Sequence, residues 1–268
     1  MAEAPGRAAE PSRLELPGMS LLEHLEELRK RIIYALIAVG VGFIAAWHYS
    51  EAIYQLMERP IVTALEQNHL PTKLVYLNPT EPFNIYLKIG LIAGIFISCP
   101  VVLYQVWMFI SPGLYRHEKK YILPFLFVTV GLFLSGGFFG YRFVYPAALS
   151  FLIEQGKAFQ PMITIGEYTD LFLTVIIGLG VVFELPTIIF FLALMGVVDA
   201  RFLWRQIRYA IMIIFTIAAI LTPTTDIVNM CIFAGPMVVL YLFGIGIAWF
   251  VHPKRRRARQ EAKAKAKA

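Results

Sequence analysis

IGLIAGIFISCPVVLYQVWMFISPGLY, residues 89–115, runs for 27 positions without one charged side chain. A helix rises about 1.5 Å per residue, so roughly 20 apolar residues cross the ~30 Å hydrocarbon core of a bilayer. This stretch exceeds that length, and others in the chain repeat it. Tyr121–Tyr141 is 21 residues without a charge, Ile227–Val251 is 25, and Leu171–Val198 is 28 with only Glu184 inside it. Ile32–Trp47, at 16, and Tyr209–Thr225, at 17, are shorter. Arginines and lysines at their ends can snorkel, and a bilayer thins around a short span. The pattern predicts six transmembrane helices, over about 28–49, 83–109, 120–142, 168–195, 206–221 and 228–250. Composition agrees. The 268 residues are 58% hydrophobic and 16% charged, with a mean hydropathy of +0.66, whereas soluble domains are nearer half apolar and a quarter charged. A soluble helical protein would have to bury every one of these helices on all sides.

Six spans put both termini on one side, and cytoplasmic loops of membrane proteins are enriched in Lys and Arg. With the termini cytoplasmic, 19 of the 24 Lys and Arg fall inside and 5 outside. Without the C-terminal tail the division is still 11 to 5. The expected topology is therefore N-in and C-in. Arg29, Lys30 and Arg31 precede the first apolar run as they would in a secretory signal. However, the polar arm before them is long and no small-x-small cleavage site follows, so the first helix is read as retained.

Three parts result: a polar N-terminal arm (1–19), a transmembrane body (20–250) and a basic tail (251–268). The tail, low in apolar residues, is expected to lack structure and to meet anionic headgroups rather than nucleic acid. Residues 50–82 form a long outer connection containing Pro60, in which YQLMERPIVTALEQ predicts a surface amphipathic helix. A second outer loop is expected over 143–167, and LTPTTD makes the last outer turn very short, pairing the fifth and sixth helices. Pro100, Pro124, Pro186 and Pro236 fall within spans and are expected to kink them. Four kinks favour a curved, concave single-domain bundle over a straight one.

Chemical signals are sparse. The chain holds no Walker loop, HExxH or dinucleotide fingerprint, and Cys99 and Cys231 lack the spacing of a metal site or disulfide. Neither an enzyme nor a cofactor is indicated. What remains is a set of acids and bases near the membrane's inner edge. In HLEELRKR (24–31) and the residue before it, Glu23, Glu27 and Arg31 recur every four residues on one helix side, and Glu26 and Lys30 form another such pair. That pattern also describes a plain salt-bridged lead-in. SPGLYRHEKKY (111–121) sets Glu118 among Arg116, His117, Lys119 and Lys120, where it also reads as an ordinary helix-start acid. VVFELPTIIF (181–190) places Glu184 in an apolar run, where a carboxylate needs protein or water beside it. Gln105, Thr174 and Thr187 are candidate polar company. On these residues alone, a proton-coupled solute carrier, a passive scaffold and a peptide receptor stay open.

HLEELRKR before the first span, YQVWMFISPGLYRHEKK after the second, FELP in the fourth, and LTPTTD followed by GPMVVLY together resemble the TatC family, the multispanning receptor subunit of the twin-arginine translocase. The resemblance covers roughly residues 20–250. It implies a concave six-helix scaffold in a prokaryotic cytoplasmic membrane that binds twin-arginine signal peptides of folded precursors. Transport driven by the proton motive force, single-span TatA/TatB-type partners, self-association and lipid contacts are implied with it, as is the absence of catalysis. Carried over by position, Glu27 and Glu118 would receive the arginine pair, with Arg29 beside them and Phe109, Pro112, Leu114 and Tyr115 shaping the surface. Glu184, with Gln105 near it, would face a hydrated recess and meet partner helices. Pro60, Asp226 and Pro236 would serve on the outer side, although Asp226 reads equally well as a helix cap. One position departs from the family pattern: a late LYE motif reads LYL at 240–242, so Leu242 stands where a glutamate is usual.

Overall fold

A computed structural model describes residues 21–110, 122–222 and 226–265. The architecture is all-α. α1 (Leu21–His48) runs to one end of the bundle, called here the cap end, where α2 (Ser50–Gln67) lies. α3 (Glu81–Ile110) returns to the opposite, basal end, and α4 (Ile122–Phe139) climbs again. One π-helical turn, Gly140–Val144, joins it to α5 (Tyr145–Gln155). α6 (Ile165–Val182) and α7 (Leu185–Met195) descend in series, and α8 (Ala200–Arg205) is a short basal segment. α9 (Ile207–Leu221) rises to the cap and α10 (Ile227–Lys265) descends from it.

Among the described residues, five runs are long and apolar enough to cross a membrane: Leu22–His48, Glu81–Ile110, Phe125–Gln155, Ile165–Met195 and Ile227–Phe250. The chain is thus a multispanning helical membrane protein. The expected fifth span corresponds to α9, which has only 15 residues.

Three expectations are corrected. The third span does not stop near 142 but continues through α5, replacing much of the expected outer loop with helix. Pro146, at the start of α5, has no amide to donate to the Arg142 carbonyl, and the helix absorbs this by widening into the π turn. Likewise Pro186 does not merely kink the fourth span. It cannot donate to the Val182 carbonyl, so α6 ends there and α7 starts afresh at Leu185. The basic tail, expected without structure, continues α10 as helix to Lys265. Its Ala, Arg, Lys, Glu and Gln residues are strong helix formers with an established helix to extend.

The expected amphipathic segment is α2, which buries Met57, Ile61 and Leu65. The cap is tied together through the backbone: Val75 N donates to Ile163 O at 3.0 Å and Ile165 N to Val75 O at 2.8 Å. Tyr168, buried on α6, donates to the Met57 carbonyl, and Tyr141 to that of Leu56 at 2.9 Å. At the base, Gly196 closes α7 with φ 76°, a left-handed geometry that glycine adopts without a Cβ clash. Tyr241 OH donates to Leu203 O at 2.9 Å, holding α8 against α10. α1 packs along α3 through a glycine crossing. A Cβ on Gly42 would lie 2.5 Å from Gly94 O, and one on Gly94 would lie 2.6 Å from Phe43 N. Only hydrogens fit there.

Candidate functional site

Two carboxylates organise the candidate site. The first, Glu27, lies on the basal part of α1, one turn before Arg31. Glu27 Oε1 accepts from Arg31 Nη2 at 3.3 Å, and Arg31 Nη1 donates to Gln105 Oε1 at 3.1 Å. Beside them the rings of His24 and Phe109 stack with centroids 4.5 Å apart and planes inclined by 21°. His24, Glu27 and Arg31 share one helix face at spacings of three and four, and Gln105 and Phe109 answer from α3, again four apart. The charges are largely shielded: the side chains of Arg31 and Glu27 are 20% and 17% exposed. One oxygen, Glu27 Oε2, is buried with no donor among the described residues, and the Arg31 Nε–H is buried with no acceptor among them. A buried acceptor left without a donor costs about 1–3 kcal/mol. A guanidinium or ammonium brought to that oxygen recovers part of the cost as a charge-assisted hydrogen bond. Arg29 points to the exposed side of the same helix.

The second carboxylate is Glu184, in the gap between α6 and α7. It is 9% exposed, and its Oε1 has no donor among the described residues. Thr187, one turn on and also buried, lies beside it, but the pair does not reach an aligned hydrogen bond, and Thr187 Oγ1 likewise has no partner among the described residues. Across from it, Cys99 on α3 is within electrostatic reach. The break explains the residue's setting. Glu184 N donates to Val181 O and Glu184 O accepts from Ile188 N, so its backbone bridges two helices while its side chain stays inside.

Of the polar company expected for Glu184, only Thr187 lies beside it. Thr174 instead donates to Asp170 O at 2.7 Å, toward the cap. Gln105 is a correction: it holds Arg31, because its turn of α3 faces α1 and not α7. Cys99 and Gln105 are six residues apart, about 9 Å along the α3 axis, so one helix walls both carboxylate sites. On another face of α3, Trp107 packs against Phe191 at 3.6 Å and Phe125 at 4.7 Å, fastening α3 to α7 and α4.

Pro112, Leu114, Tyr115 and Glu118 lie outside the described residues. Asp226 caps α10, accepting from Asn229 N at 2.7 Å and Asn229 Nδ2 at 3.2 Å, as the cap reading expects. Pro60 and Pro236 are half-buried within α2 and α10. Leu242 is 42% exposed, so a glutamate there would sit on the surface of the chain rather than in its interior. Sequence reasoning missed His24, although its place three residues before Glu27 on the Arg31 face was a usable signal. It also missed the glycine crossing, for which sequence offers no partner.

A polytopic helical membrane protein with a partly neutralised ion pair at its basal edge and a lone buried acid at a helix break belongs among proteins that bind or move a charged segment. The comparisons narrow the class. The family profile described as Sec-independent protein translocase protein (TatC) matches residues 23–236. The chain is 61% identical to the TatC protein of Koribacter versatilis over 258 residues, covering 96% of this chain and 95% of that one. It is 40% identical to the TatC protein of Carboxydothermus hydrogenoformans, covering 88% and 95%. A crystal structure described as twin arginine translocase receptor TatC superposes with a TM-score of 0.76 at 34% identity, covering 84% of this chain and 98% of that one. The chain belongs to the TatC family.

Proposed function

We propose that the chain is the core receptor subunit of a Sec-independent, twin-arginine protein translocase, binding the signal peptides of folded precursors and performing no catalysis. The observation that carries this reading is the Glu27 carboxylate, oriented by Arg31 and Gln105 and left with one oxygen lacking a donor among the described residues. An arginine side chain offers a fixed fork of N–H donors that fits such an oxygen. Glu118 supplies a second acid from the segment between α3 and α4, so that two carboxylates from separate parts of the chain read two adjacent arginines. Arg29 lines the approach, Phe109 with His24 forms its floor, and Pro112, Leu114 and Tyr115 shape the surface around the site. Each good contact contributes about 1.5–3 kcal/mol, which suits a site that must release its cargo.

In this reading residues 20–250 form six spans, α9 being the short fifth, in the cytoplasmic membrane of a prokaryote. Both termini and the basal end are cytoplasmic, consistent with the 19 to 5 division of Lys and Arg. The helical basic extension after 250 lies at the inner headgroups. Single-span TatA/TatB-type subunits dock a polar side chain against Glu184, and copies of the chain associate within the receptor complex. Pro60, Asp226 and Pro236 hold the outer side. The test is crosslinking of a peptide bearing Ser-Arg-Arg-x-Phe-Leu-Lys to the purified chain. Glu27→Ala/Glu118→Ala is expected to abolish it while the protein still inserts in the membrane; unchanged crosslinking sinks the assignment.

A further inference from the structure

We propose that the cap end carries a phospholipid site selective for a headgroup with a primary ammonium. A cavity of about 1080 Å³ opens between α2, α5, the start of α6 and the end of α9. This exceeds the ~300–1,000 Å³ usual for small-molecule pockets and leaves room for a flexible chain. Its depth is apolar, lined by Leu149, Ile153, Leu171 and Leu221, whereas Lys157, Glu167 and Asp170 line it with charge. These charges are unequally matched. Asp170 is paired with Lys88, and Lys157 is held only loosely by Glu154 at 3.5 Å with both side chains more than 60% exposed. Glu167 is exposed and makes no ion pair among the described residues, its backbone amide alone being engaged by Thr164.

The wall supplies the second argument. α9 is 15 residues long, about 22 Å, against roughly 30 Å for a full hydrocarbon core. Its last residues, Ile220 and Leu221, line the cavity, so the apolar depth lies where acyl chains reach. An apolar hollow facing hydrocarbon is filled by hydrocarbon, since water gains no partners there. The charged lining then selects the headgroup: Glu167, with Asp170 beside it, accepts from an ammonium, and Lys157 donates to the phosphate. A trimethylated choline has no N–H to give Glu167. The uncharged apolar segment of a peptide would leave Glu167 unanswered.

The test uses the full chain in phosphatidylglycerol vesicles doped with a photoreactive-acyl phosphatidylethanolamine, or with the same chain on phosphatidylcholine. Adducts are mapped by mass spectrometry, with the lipid-facing surface of α1 as the internal reference. The ethanolamine probe should mark 149–171 several-fold above α1. Glu167→Gln/Lys157→Gln should remove most of that enrichment and bring labelling close to the α1 level, as expected when charge-assisted contacts are lost. Leu152→Trp, at a position lining the cavity, narrows it and should lower labelling by both probes. Equal labelling of cavity and α1, or enrichment indifferent to headgroup and to Glu167/Lys157, overturns the proposal. So does a cavity marked only by a bound peptide.

Discussion

Glu27→Gln changes one atom's identity and tests the receptor reading most sharply. Within the fold its effect is small. The pair it weakens joins residues four apart on one helix, worth about 0.3–0.5 kcal/mol when exposed, and partial burial raises this only modestly. Arg31 keeps Gln105 as acceptor, so abundance and melting temperature should stay near the parent's. Binding is different. A charge-assisted hydrogen bond to a carboxylate contributes about 1.5–3 kcal/mol, and an amide oxygen retains a neutral fraction of it. With tenfold in affinity per ~1.4 kcal/mol, the expected loss is roughly tenfold, approaching a hundredfold if the neutral contact is poor. The assay is fluorescence anisotropy of a labelled signal peptide titrated with detergent-purified protein, set against the Lys-Lys peptide. Parent binding should favour the arginine pair, and Glu27→Gln should erase most of that preference. Unchanged affinity, or an equal loss for both peptides, would refute the view that this oxygen reads a guanidinium.

At the glycine crossing, Gly42→Ala forces a methyl to within 2.5 Å of the Gly94 carbonyl. Backbone must move, and a loss of about 1–3 kcal/mol is expected as a lower melting temperature in detergent; an unchanged melt refutes the close approach. Glu184→Gln should keep much of the transport function, since an amide still hydrogen-bonds. Glu184→Leu should lose crosslinks to a single-span partner while retaining those to signal peptide, read at matched abundance. Equal damage by both variants would point to a titrating carboxylate instead. For topology, cysteines at Thr72 and Gln160 should react with an impermeant maleimide from outside, and those at His117 and Gln206 should not; reversed labelling overturns the orientation.

What the sequence determined was local in origin. Hydropathy is summed along the chain, so the long spans announced themselves, and the Glu27–Arg31 pairing follows from helical periodicity alone. The α2 segment and the Asp226 cap were readable for the same reason, since each rests on residues within a few turns. Positions decided by proline show the limit of local rules. Pro146 and Pro186 each remove one donor, yet the first helix widens into a π turn and continues, while the second ends and restarts. Packing around each freed carbonyl makes that choice. Other features belong to tertiary structure entirely. Gln105 reaches Arg31 across 74 positions of sequence. The turn of α3 it occupies faces α1, and Gly42 and Gly94 let those two helices approach closely elsewhere along the same contact. Glu184 was visible as an acid among apolar residues, but its burial at a helix break opposite Cys99 was not. A side chain's partners across the bundle depend on helix rotation and crossing, and those are set by the packing of all the helices at once.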